Sequence, residues 1–99
     1  MSKFLITYHG PGMPDDPALA AQAKAAFGKW LGEAGKAVVD PGAPVRTVAK
    51  VTNGSSGEFA IGGYTVIEAA SRDEVIRLLK THPFVARGGM LQVNEVIAV

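Results

Sequence analysis

The chain contains no cysteine, which removes a disulfide framework, a thiolate nucleophile and any sulfur-ligated metal site. It also lacks a charge bias. A formal net charge of +1, with acids and bases interspersed, gives no basic stripe that would follow a phosphate backbone, so nucleic acid is not an expected partner. No window approaches the roughly 18 consecutive apolar residues of a membrane span. Met1-Ser2-Lys3 leads into a strand-like run with no small-residue cleavage site, so a cytoplasmic protein with no membrane partner is expected. Histidine is scarce as well: His9 and His82 share no ligand spacing, so neither a metal site nor a haem ligand stands out, and no cofactor is expected.

What is present is periodic. Phe4-Leu5-Ile6-Thr7-Tyr8 is β-branched and aromatic, with Phe4, Ile6 and Tyr8 on one face and Leu5, Thr7 and His9 on the other. After Gly10-Pro11-Gly12, Asp16-Pro17 reads as an N-cap with proline at the first helical position. Leu19, Ala23, Phe27, Trp30 and Ala34 then form the buried stripe of a helix that Gly35 closes. Lys36 to Val39 predicts a second strand, ended by a turn at Asp40-Pro41-Gly42. Val45 to Val51 predicts an extended β-arm with Arg46 and Lys50 on one face, followed by a glycine-rich loop from Thr52 to Gly57. Phe59 to Ala70 reads as a strand, irregular near Gly62-Gly63. Ser71-Arg72-Asp73-Glu74 is a capping box opening a helix with Val75, Ile76 and Leu79 inward, and Pro83 ends that helix just after His82. Met90 to Val99 predicts the last strand, with Leu91, Val93, Ile97 and Val99 on one side.

The order β-α-β, arm, β-α-β is the split βαβ pattern, so a single α+β domain over residues 1–99 is expected. It is a ferredoxin-like sandwich with two helices on one face of a four-stranded antiparallel sheet. Two helices cover only one sheet face, and alternation places Leu5, Ile67, Met90 and Val96 on the other, which predicts a homodimer packed sheet to sheet.

With these residues laid out, the chain resembles the YCII-related family nearly end to end. The likeness rests on the first strand Phe4 to Tyr8, on Gly35 and Asp40-Pro41-Gly42, and on Gly63-Tyr64-Thr65-Val66-Ile67-Glu68 with Ala70-Ser71-Arg72-Asp73-Glu74. His82-Pro83-Phe84 before Gly88-Gly89, and the closing strand Gly89 to Val96, complete it. The resemblance implies a dimeric α/β barrel with a pocket between sheet and helices, in which some relatives carry a His–Asp acid–base pair. This chain departs from that pattern: its first helix holds Gln22 and Lys24 but no histidine, and His82 stands where other relatives carry an acid.

His82 is the first catalytic candidate, because imidazole exchanges protons near neutral pH and a helix C-terminus would favour its charged form; the plainer reading is that it caps the last carbonyls of that helix. Asp40 is its expected partner, although Asp-Pro-Gly is also an ordinary turn. His9 and Arg46 are the candidate substrate-binding residues, each also readable as a solvated surface group. Together they suggest cofactor-free acid–base chemistry, of lyase or isomerase type, on a small organic acid, with a non-catalytic ligand- or protein-binding module as the alternative.

Overall fold

The computed structural model describes residues 1–54 and 60–99, so the end of the expected glycine-rich loop and the predicted strand start at Phe59 lie outside the described residues. The elements are β1 (Ser2–His9), α1 (Pro17–Ala34), β2 (Val38–Pro44), β3 (Gly63–Ala69), α2 (Arg72–Leu79), a single-turn α3 (Pro83–Ala86) and β4 (Met90–Glu95). The strands form one antiparallel sheet in the order β2-β3-β1-β4, so the two strands that open each βαβ half lie side by side at its centre. This is the ferredoxin-like α+β sandwich. Among the described residues, no helix is long and apolar enough to cross a membrane.

Local chemistry accounts for the helix starts. Asp16 accepts hydrogen bonds from the N–H groups of Ala18 (2.8 Å) and Leu19 (3.4 Å), with Pro17 at the first helical position. Ser71 accepts from Glu74 N–H, and the Glu74 carboxylate reaches back to Ala70 N–H at 3.0 Å. The core lies between α1, α2 and the central strands: Phe4, Ile6, Trp30, Ile67, Val75 and Leu79 are all buried. Trp30 satisfies its indole N–H on the Leu78 carbonyl at 2.9 Å, which makes it both the largest apolar body in the core and a tie between the helices.

Several sequence expectations are corrected here. Ile67 belongs to the helix face: it pairs directly with Phe4, shares its side of the sheet and is fully buried. Leu19 is 51% exposed, and Ile76, expected to point inward, is 38% exposed. Residues 45–50 form no strand, so the β-arm is absent, and Arg46 is exposed there. β4 stops at Glu95, leaving Ile97 and Val99 exposed beyond it.

The turn expected at Asp40-Pro41-Gly42 is instead absorbed within β2 as two register shifts against β3. β2 is an edge strand, where proline is tolerated because one side of the strand has no partner to donate to. Gly42 takes φ +73°, and a Cβ there would overlap the Tyr64 carbonyl, so this bulge admits only glycine. The bulge turns the Pro41 carbonyl toward the helix face of β3, where it meets Thr65.

Candidate functional site

Between α1, the β2 bulge and α3 lies a pocket of about 330 Å³. Its walls are apolar and aromatic, with Ala23 and Phe27 from α1 and Phe84 from α3, while Lys24 and Arg87 supply the cations in its lining. Tyr8 and His82 both line it. Tyr8 is the last residue of the Phe4-Ile6-Tyr8 face, so strand alternation delivers its hydroxyl to the core side of the sheet.

His82 does not sit at the exit of α2, which ends at Leu79; it is the N-cap residue of α3 instead. Its Nδ1 accepts a hydrogen bond from Phe84 N–H at 3.0 Å and so caps the short helix, and its Nε2 lies 2.9 Å from Tyr8 Oη. The ring is 2% exposed and packed among aromatics, with centroids 4.4 Å from Trp30, 5.2 Å from Tyr8 and 5.6 Å from Phe27. Burial, and secondarily the positive charge of Arg87, lower its pKa from 6.5 to about 4. The expectation of a charged imidazole favoured by a helix C-terminus is therefore reversed: His82 is neutral at physiological pH. Tyr8 is similarly held in its un-ionised form, its pKa raised by burial against the opposing effect of its bond to Thr65.

The polar groups form a chain. Tyr8 Oη is 2.7 Å from Thr65 Oγ1, and Thr65 donates to the Pro41 carbonyl at 3.0 Å. No buried side-chain polar atom among the described residues lacks a partner.

The structure does not bring the other sequence candidates to this place. Asp40 is exposed, and its carboxylate accepts from Gly42 N–H at 2.8 Å, so it shapes the bulge and does not touch His82. His9 lies across the sheet, where alternation puts it beside Thr7; its ring nitrogens meet Thr7 Oγ1 at 2.8 Å and the Ala60 carbonyl at 3.1 Å. It lines a second depression, on the open face, with Leu5, Met90, Gln92 and Asn94. Arg46 lines neither hollow. Among the described residues, no group of three His, Asp or Glu side chains is placed to hold a metal ion.

Tyr8 and Thr65 were not singled out as site residues from the sequence. A signal was available, because each puts a hydroxyl on the core-facing side of a strand where it must find a partner, and the two strands pair so that both hydroxyls share one face.

A ferredoxin-like sandwich with a pocket between its helices and one sheet edge defines the class of protein. Within that class, a model of the YCII-related domain matches residues 4–98, and the chain belongs to the YCII-related family. Among solved structures it is similar to the 5-chloro-2-hydroxyhydroquinone dehydrochlorinase (TftG) from Burkholderia phenoliruptrix AC1100 in complex with 2,5-dihydroxybenzoquinone. That likeness has a TM-score of 0.56 at 23% identity, covers 91% of this chain and 90% of that one, and is a likeness of fold. No curated protein matches the chain.

Proposed function

We propose that the chain binds a small organic acid in the pocket beside Tyr8 and His82 and carries out cofactor-free acid–base chemistry on it, of lyase or isomerase type. The observation that carries this reading is the 2.9 Å contact between His82 Nε2 and Tyr8 Oη in the lining of a largely apolar pocket. Apolar walls strengthen each polar contact a ligand makes there, and Lys24 and Arg87 in the lining favour a negatively charged group. His82 works through Tyr8, its Nε2 fixing the orientation of the Tyr8 oxygen from 2.9 Å, so His82 is a positioning residue in this scheme and Tyr8 is the group that meets the ligand. Asp40 takes no part. The dehydrochlorinase of similar fold, a lyase-type enzyme by its name, supports the reaction class, and its complex with 2,5-dihydroxybenzoquinone supports a small cyclic ligand.

A homodimer joined through the open face of the sheet is part of the same proposal, because Leu5 (37% exposed) and Met90 (55%) leave apolar surface there opposite the helices. A second functional reading is a non-catalytic binding module. It is favoured by the engagement of both His82 nitrogens, which leaves the ring no free lone pair with which to take a proton.

Titrating 2,5-dihydroxybenzoquinone and halogenated hydroquinones into the protein, while following Trp30 fluorescence and halide release, separates these readings. Saturable quenching with turnover supports an enzyme, and quenching without turnover supports the binding module. No saturable binding of any of these compounds would remove both.

A further inference from the structure

Resting on the reading of this pocket as the site for a small organic acid, we infer that Tyr8 Oη meets the ligand as a hydrogen-bond acceptor. The pocket then selects an apolar molecule that carries an un-ionised hydroxyl, a phenol or enol, toward Tyr8 and an anionic group toward Lys24 and Arg87.

The argument follows the hydrogens from both ends of the polar chain. Phe84 N–H can only donate, so the Nδ1 it faces at 3.0 Å is a lone pair, and the single hydrogen of the neutral ring lies on Nε2. That hydrogen points at Tyr8 Oη, 2.9 Å away. At the other end, the Pro41 carbonyl can only accept, so the Thr65 hydroxyl hydrogen is committed to it at 3.0 Å. The 2.7 Å contact between Tyr8 and Thr65 must therefore be made by the hydrogen of Tyr8. Tyr8 Oη has given away its only hydrogen and has received one from His82. A phenol oxygen offers two lone pairs, so one remains.

Thr65 is 1% exposed and is absent from the pocket lining, so its oxygen is out of a ligand's reach. Beside aromatic and aliphatic walls, the capacity left at Tyr8 is that of an acceptor. A ligand carbonyl or carboxylate placed there would oppose lone pair to lone pair, unless Tyr8 withdrew its hydrogen from the buried Thr65 oxygen and left that oxygen without a donor. A ligand hydroxyl meets no such obstacle. The cations come from different elements, Lys24 on α1 and Arg87 after α3, where its guanidinium lies 5.3 Å from the centroid of the Phe84 ring. A molecule with a hydroxyl at one end and a carboxylate at the other fits that polarity.

The test is calorimetric titration of 4-hydroxybenzoate, 4-methoxybenzoate and 4-formylbenzoate into wild-type protein, Tyr8→Phe and Thr65→Val. Wild type is expected to bind the hydroxy compound about tenfold more tightly than the methoxy compound, and Tyr8→Phe to abolish that preference while leaving methoxy binding intact. Thr65→Val frees the Tyr8 hydrogen for the ligand, so affinity for the formyl compound should rise several-fold, a gain that a merely structural role for Thr65 would not produce. Equal binding of all three benzoates by wild type overturns the acceptor assignment and leaves the pocket reading standing. Absence of binding by all three overturns both. Should a variant fail to fold, the wild type alone decides through long-range ¹⁵N NMR of His82. A hydrogen on Nε2 with a bare Nδ1 is expected, and the opposite tautomer overturns the assignment.

Discussion

The two histidines of this chain sit on opposite faces of one sheet, and each has both ring nitrogens engaged, yet the faces use them differently. On the helix face, His82 is buried against Trp30 and Phe27 and its hydrogen bonds tie a strand to a helix turn, so the ring cements a corner of the core and lends polarity to a pocket. On the open face, His9 bonds to a residue two positions away on its own strand and to the Ala60 carbonyl. Desolvation makes the difference: a group taken from water must be fully partnered and neutral, whereas a half-exposed one keeps water as an alternative. The sheet is thus asymmetric, with ordered polar chemistry on one side and a surface of mixed character on the other.

That contrast can be broken most severely at His82. Replacing it by Ala deletes a buried ring and the cap of α3 together, and a loss of about 3–5 kcal/mol in urea unfolding is expected. His82→Asn, whose side-chain oxygen can still accept from Phe84 N–H, should recover about 1 kcal/mol of this. A loss for Ala no larger than for the equivalent change at His9 would end the distinction between the faces.

The pH dependence comes next in size. The pKa of His82 falls from 6.5 in the unfolded chain to about 4 in the folded one, so between these values the unfolded state binds more protons. Stability contributed by the neutral ring is therefore complete above pH 6.5, declines as pH falls toward 4 and levels off below, by about 3 kcal/mol in all. Urea midpoints across that range should show the slope in wild type and lose it in His82→Asn. A slope retained in the variant would assign it to other groups.

On the open face, the proposed dimer supplies the test. Light scattering should find wild type dimeric at micromolar concentration and Leu5→Lys monomeric with its helix-face core unchanged, since Leu5 is on the open face. A clean wild-type monomer would sink the dimer. The smallest changes are expected at His9→Ala, within about 1 kcal/mol, and Asp40→Asn, within about 0.5 kcal/mol, because asparagine also accepts from Gly42 N–H. A large loss of ligand binding in Asp40→Asn would restore the carboxylate to the site.

Much of this architecture is legible in short-range pattern. The caps at Asp16 and Ser71, the stripe through Ala23, Phe27 and Trp30, and the alternation of Phe4, Ile6 and Tyr8 each depend on residues within a few positions of one another. Those signals suffice for element order and hence for the ferredoxin-like sandwich. They misplace Ile67, because a strand's alternation shows which residues share a face and leaves open which face meets the helices; the direct pairing of Ile67 with Phe4 settles it. They also misread Asp40-Pro41-Gly42, since a turn and a bulged edge strand use the same residues and differ only in whether a neighbouring strand stays paired beyond them.

The site belongs to the second category. Sequence by itself determined that Pro83 would bar a helix from running past His82 and that Tyr8 would share a face with Phe4 and Ile6. Only tertiary structure decided that Tyr8, Thr65, His82 and the Pro41 carbonyl would form one chain, because 57 positions separate Tyr8 from Thr65 and 74 separate it from His82. The same packing decided the charge of His82. An isolated imidazole before a proline carries no information about its protonation, and it was burial among Trp30, Phe27 and Tyr8 that made the neutral ring the stable one.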